Sequence, residues 1–446
     1  GGLSGSARWA HDGGRSCSGF GDWAAGDKVT APVRETTSQA LAVVLRPMCA
    51  AAAAKVAGSL LTMASGAQVW EVRHGALLGL KYVLSVRADL LPSLLPRAAP
   101  LVSSALSDAD DDVRCVAADT LGSVAGHARS LLPPAEVARL LGALWDSLLG
   151  LDCLAASATA VMGALAGYAA ALPYAALAAP ECSASGVASL TEAVDRLWPV
   201  FLHPSAAARA SAMHTLARLL TAAEPTAAGP TAAGPAWLQG AALSHAARLL
   251  LQAVALETSD AVQPAAQAAW AALLLAAPRA ALRSVADAHR GGWMRMLGAP
   301  LGAALDLSAL HSVAYACEEA GGGAVPGEFP FLESHATEGT RARGAVALGQ
   351  LAHACTTPLP SAPATAAADD AALGGWREAL LDSLGAASAT RRVLAAWVLA
   401  EWSAATHAEP AAAPARTALG PECAALHAAF RSVGVAPLAK SGRGVI

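Results

Sequence analysis

The chain has 446 residues, enough for two or three ordinary domains or for one extended array of repeats. It is 55% hydrophobic but only 14% charged, and alanine, a helix former with little apolar surface, supplies much of that hydrophobicity. A net charge of −4 argues against a dedicated nucleic-acid-binding protein, which normally carries a basic field.

The cysteines and the termini give further expectations. Eight widely separated cysteines without a CxxC pair indicate reduced thiols in a cytosolic or nuclear protein. The chain starts with Gly-Gly and shows no secretory signal pattern, so we expect a fragment of a longer protein. Residues 153–180 lack charge, but they are mostly Ala, Gly and Ser and contain Pro173. We therefore predict no membrane-spanning segment.

A Val-Arg pair recurs at the start of Ala/Leu-rich segments, as Val33-Arg34, Val72-Arg73 and Val113-Arg114, at intervals of 39 and 41 residues. HEAT and armadillo units repeat at about this interval as antiparallel helix pairs. Alternating β-branched runs are not evident, so strands are not expected. The sequence therefore predicts an all-α solenoid of the HEAT/armadillo type.

Apolar residues at three- and four-residue spacing predict the helices in chain order. They cover residues 31–47, 69–86, 91–106, 113–124, 136–150, 155–172, 189–201, 206–222, 238–256, 262–276, 342–354, 376–384 and 390–406. We expect a disordered end at 1–19, repeats at 20–224 and a low-complexity linker at 225–235. Further helical repeats follow at 236–409, with loops at 321–340 and 358–375, before a divergent, partly disordered end at 410–446.

The clearest repeat has a turn at residues 107–110, rich in residues that cap helices. Asp110 and Arg114 lie four residues apart and are expected to pair on the helix surface. In HEAT arrays, a turn Asp and an Arg early in the second helix often form a ladder between repeats. The Asp110-Asp111-Asp112 run could also hold a metal ion, but its place at a repeat turn favours capping and laddering.

Tryptophan is the most frequent aromatic residue. Five tryptophans lie inside apolar helical patterns and are expected in the core: Trp145, Trp198, Trp270, Trp397 and Trp402. Trp70 instead opens a helix beside Glu71, Arg73 and His74. It could line a contact surface, or it could staple the start of its helix to the previous helix.

Motifs of catalysis are absent from the sequence. It contains no phosphate-binding G-x-x-x-x-G-K-[ST] loop, no H-E-x-x-H, no zinc spacing of Cys and His, and no G-x-S-x-G elbow. We therefore predict a protein without enzymatic activity, cofactor, metal or small-molecule substrate.

Two segments resemble the TATA-box-binding-protein-associated factor family: residues 68–82 (QVWEVRHGALLGLKY) and 108–118 (DADDDVRCVAA). The resemblance covers about residues 20–405. It is strongest over residues 20–152, where it includes Phe20–Trp23, Ala31–Thr36 and Leu144–Leu149, and patchier afterwards, through Trp198–Leu202 and Ala400-Glu401-Trp402. The resemblance implies a HEAT array that grips TATA-box-binding protein in a nuclear regulator that removes it from DNA. The C-terminal ATPase of that family is missing, so contact with DNA would be indirect.

The resemblance and the turn positions give the candidate partner-binding residues: Trp70, Glu71, Arg73, His74, Asp108, Asp110, Asp111 and Asp112. Acidic turn residues would complement a basic surface of TATA-box-binding protein. The alternative role for the same residues is capping and laddering between repeats. Two other functions stay open: a HEAT adaptor such as a transport receptor or phosphatase scaffold, and a truncated piece of the full ATP-dependent remodeller.

Overall fold

The structure, a computed structural model, describes residues 27–149, 155–172, 190–222, 237–238, 240–306, 331–356 and 366–408. These residues form 15 α-helices. In chain order the helices are α1 Asp27–Leu45, α2 Ala50–Gly66, α3 Trp70–Val86, α4 Leu91–Ala105, α5 Asp111–Leu131, α6 Pro134–Ser147, α7 Ala155–Ala171, α8 Leu190–Asp195, α9 Ala206–Ala222, α10 Ala241–Leu256, α11 Gln263–Ala276, α12 Arg279–Leu297, α13 Glu338–Thr356, α14 Ala366–Gly385 and α15 Ala389–Ala408. A 3-10 helix, Trp198–Leu202, follows α8.

The helices form two layers. Each odd-numbered helix packs on the next odd-numbered helix, from α1 to α15, and this series makes one layer of the array. The even-numbered helices other than α8 lie outside it, each against the odd helix that follows. Buried apolar side chains form one continuous core from Leu45 to Trp402. This is the α-solenoid that the repeat period predicted, and the all-α expectation is confirmed.

Small residues set the spacing in the odd layer. The contact between α5 and α7 joins Gly122 and Ala125 to Ala164 and Gly167, and a Cβ added at Gly122 would lie 3.2 Å from the Cα of Ala164. Such close approach gives the dispersion contacts that larger side chains supply elsewhere. An alanine-rich sequence can therefore still build a dense core.

An extended segment, residues 331–337, lies against the array near α10 and α12. Its backbone pairs on one side with the end of α10, where Glu333 N donates to the carbonyl of Leu256 at 2.8 Å. On the other side Ala336 N donates to the carbonyl of Ala303 at 2.8 Å. Isolated antiparallel bridges mark both sides of this segment.

Most predicted helices are present within a few residues of their expected ends, but four segments differ. Helices α2 and α12 were not predicted, because α2 begins with an alanine run without apolar period and α12 carries several charges. The loop expected at 358–375 is wrong for residues 366–375, which form the first half of α14. The last three residues of the loop expected at 321–340 belong to helix α13, which begins at Glu338.

Other expectations fall on residues that the structure does not describe. The ends at 1–19 and 410–446 and the linker at 225–235 lie outside the described residues. Four of the five tryptophans assigned to the core are buried, and Trp397 is partly buried. Among the described residues, none of the helices is both long enough and apolar enough to cross a membrane.

We expect Gly122→Val to destabilise the array by about 1–3 kcal/mol, because the added side chain must push α7 away from α5. The free energy of unfolding from urea titrations followed by circular dichroism tests this. Gly126→Val is the control, because Gly126 lies one turn later on α5 and a Cβ there meets nothing within 4 Å. Equal effects of the two substitutions would contradict close packing at Gly122.

Candidate partner-binding edge

The turns that lead from an even helix to the following odd helix lie along one edge of the array, here called the even-to-odd edge. Five odd helices carry arginine as their fourth residue. In four of them, Nη1 donates to the two carbonyls five and six residues earlier, at distances of 2.8–3.3 Å. The four residues that form this arginine brace are Arg73, Arg114, Arg209 and Arg392. The brace satisfies turn carbonyls that would otherwise need water.

Arg73 also connects its repeat to the next one. Its Nε and Nη2 donate to the two carboxylate oxygens of Asp108, both at 2.8 Å. This bidentate pair lowers the pKa of Asp108, mainly through the hydrogen bonds from Arg73. Asp108 additionally accepts from the backbone N of Asp110 at 3.0 Å. Arg73 and Asp108 thus form an Asp–Arg ladder between repeats, of the kind that is common in HEAT arrays.

The same geometry recurs farther along the chain. Nε and Nη2 of Arg209 donate to Glu257 at 2.8 Å each, and both side chains are almost fully buried. This pair was not predicted from the sequence. The available signal was the weak repeat of the arginine pattern at Ala208-Arg209.

Asp110 caps α5. Its carboxylate accepts from the backbone N of Asp112 at 3.1 Å and of Val113 at 3.4 Å. Burial raises the pKa of Asp110, as its cap hydrogen bonds only partly offset the loss of solvent. The expected pair of Asp110 with Arg114 is wrong: Arg114 pairs with Asp111 at 3.0 Å. The cap uses the Asp110 carboxylate, and the brace fixes Arg114 on the turn carbonyls.

Trp70 is half-buried and packs against the core. The Arg34 guanidinium lies over its ring, 4.9 Å from the centroid, and the His74 ring meets it edge-on at 6.3 Å. The contact with Arg34 connects the start of α3 to α1, which favours the staple interpretation of Trp70. Glu71, in contrast, is exposed and pairs with none of the residues that the structure describes.

The structure therefore brings the eight candidate residues to two neighbouring turns of one edge. Arg73, Asp108, Asp110 and Asp111 all make internal contacts, while Glu71 faces solvent. Within the described ranges, no three His, Cys, Asp or Glu side chains are grouped as a metal site would need.

The layered helix pairs and the braced turns define a HEAT-type α-solenoid. Solved structures agree: a Kap121p mutant covers 90% of this chain with a TM-score of 0.54, at 14% identity and over 33% of its own length. The karyopherin Kap121p bound to the extreme C-terminus of the protein phosphatase Cdc14p gives a TM-score of 0.51 over 85% of this chain and 32% of its own, also at 14% identity. At that identity the likeness shows the fold alone.

Sequence comparison identifies the relatives. TATA-binding protein-associated factor 172 of Homo sapiens is 32% identical over 405 residues, which is 86% of this chain. TATA-binding protein-associated factor BTAF1 of Arabidopsis thaliana is 31% identical over 64% of this chain. The chain is thus a homologue of the TATA-binding protein-associated factors. It spans 21% of the length of the human relative and 15% of the Arabidopsis one. No protein-family profile matches it.

Asp110→Ala is expected to lower the free energy of unfolding by about 1 kcal/mol, the usual cost of losing a helix N-cap. Urea unfolding followed by circular dichroism measures this cost. Asp110→Ser retains a capping oxygen and should restore most of the stability. A full loss in the serine variant as well would show that the carboxylate does more than cap α5.

The ladder predicts a pH-dependent contribution from Asp108. Its pKa is lowered in the folded chain, so its stabilisation is present above the unfolded pKa of about 4 and is lost as pH falls through the folded value. The stability difference between the native chain and Asp108→Asn should therefore shrink below about pH 4. Urea midpoints measured from pH 7 to pH 3 test this, and a difference independent of pH would contradict it.

Proposed function

We propose that this chain is a scaffold that binds TATA-box-binding protein, as part of a regulator that dissociates it from promoter DNA in the nucleus. The homology to TATA-binding protein-associated factors over 86% of the chain is the observation that supports this function. The scaffold acts by binding rather than by catalysis. Contact with DNA is then made only through the full-length protein.

The two acidic turns of the even-to-odd edge are the proposed contact region. It contains Trp70, Glu71, Arg73, His74, Asp108, Asp110, Asp111 and Asp112. Arg73 neutralises Asp108, and Arg114 neutralises Asp111. The other three carboxylates of the region, those of Glu71, Asp110 and Asp112, give it an excess of negative charge over these two pairs. A basic partner surface would be steered to this edge and oriented by it. An extended edge of repeated turns also suits a large protein partner.

Calorimetric titration of the folded chain with TATA-box-binding protein tests the function. We expect a dissociation constant in the micromolar range or tighter that weakens as salt is raised, because rim charges contribute mainly through long-range attraction. A chain with a cooperative helical melting curve that gives no heat with TATA-box-binding protein would overturn the proposal.

Glu71→Lys should weaken binding several-fold and leave the melting curve unchanged, because Glu71 is exposed and makes no internal ion pair with the described residues. The control is Glu378→Lys, which reverses an exposed charge on the even helix α14, away from the edge. An equal loss of affinity in both variants would indicate a general effect of net charge.

A further inference from the structure

Two exposed valines lie at the start of α3, and a third lies on α1. Val69 is 55% exposed, Val72 38% and Val33 57%. The contact between Arg34 and Trp70 joins α1 to the start of α3. Val69 and Val72, three residues apart at the start of α3, form the exposed apolar surface on the even-to-odd edge that is here called the valine patch.

The exposure of the valine patch does not follow from the repeat pattern. Val33, Val72 and Val113 occupy the same place in the recurring Val-Arg pair, yet Val113 is fully buried. The arginine brace is present beside both Val72 and Val113, so a change in the turn does not explain why Val72 is exposed and Val113 is buried. An exposed valine removes little apolar surface from water and adds little to stability.

Val69 gives the sharper argument. It is the N-cap residue of α3, with extended backbone angles and no side-chain cap hydrogen bond. Valine is among the poorest N-cap residues, whereas the next odd helix, α5, is capped by Asp110. Helix α11 also begins at an uncapped valine, Val262, but that side chain is fully buried, whereas Val69 at its cap position is exposed to solvent.

We propose that the valine patch is the apolar centre of the contact with TATA-box-binding protein. This inference rests on the proposed function and names the residues that carry the binding. The surrounding charges argue for the occupant: the exposed Glu71 lies between Val69 and Val72 in the sequence, and Asp111 and Asp112 begin the neighbouring odd helix α5. An apolar centre with an acidic rim fits a partner surface that is apolar and bordered by basic side chains.

Val69→Ser combined with Val72→Ser separates binding from folding. Serine at position 69 supplies the missing cap, so we expect the melting temperature to stay the same or rise by about 2 °C. Loss of apolar contact should weaken binding of TATA-box-binding protein about tenfold. Calorimetric titration and thermal melting of the same preparations give both values.

Val43→Ser combined with Val44→Ser is the matched control. These valines are 71% and 59% exposed, on the last turns of α1 and away from the patch. Their replacement should leave the affinity unchanged. Native-like binding by the Val69/Val72 variant, while the native chain binds, would overturn the valine patch and leave the proposed function standing. Absence of binding by the folded native chain would overturn both.

Discussion

The geometry of the array depends on an arginine at the fourth position of an odd helix. The guanidinium group presents five N–H donors in a rigid fork, so one side chain can hold two turn carbonyls and still reach a carboxylate. Arg73 and Arg209 use both sides of the fork: Nη1 fixes the turn of their own repeat, and Nε and Nη2 bind the acid of the next. Lysine, a single point charge, could not connect both.

At these turns charged side chains point inward and apolar side chains point outward, which is the opposite of the usual arrangement at a protein surface. At the α4–α5 turn, Asp108 and Asp110 point into the structure, where they bind Arg73 and cap α5. The preceding turn places Val69 outward at its cap position. The carboxylates of Asp108 and Asp110 thus stabilise the edge through internal contacts, whereas the Val69 side chain remains on its surface. A residue's type alone therefore does not show whether it faces a partner.

The sequence predicted the solenoid because a repeat period survives even in an alanine-rich chain: the Val-Arg pairs alone mark three successive odd helices. It did not assign the roles of Asp108, Asp110 and Asp111. Three carboxylates within four residues can exchange roles according to where α5 begins, and the bidentate contact that distinguishes Asp108 comes from Arg73 on another helix. Helix α2 was not predicted for a related reason. Its first residues are all alanine, so the sequence does not show which of them lie on the buried face. Both the roles of these carboxylates and the buried face of α2 are determined by tertiary contacts.

The two ladders show where the even-to-odd edge is open. In the Arg73–Asp108 pair the side chains remain 21% and 11% exposed, whereas in the Arg209–Glu257 pair they are 2% and 1% exposed. The difference comes from the segment 331–337, whose Phe331 ring lies 3.8 Å from the Arg209 guanidinium and whose backbone pairs with the end of α10. The same interaction is therefore covered by the protein's own chain near α10 and left accessible near α3. Among the described residues, no segment like 331–337 pairs with the braced turns of the N-terminal repeats, where Glu71 and the valine patch lie.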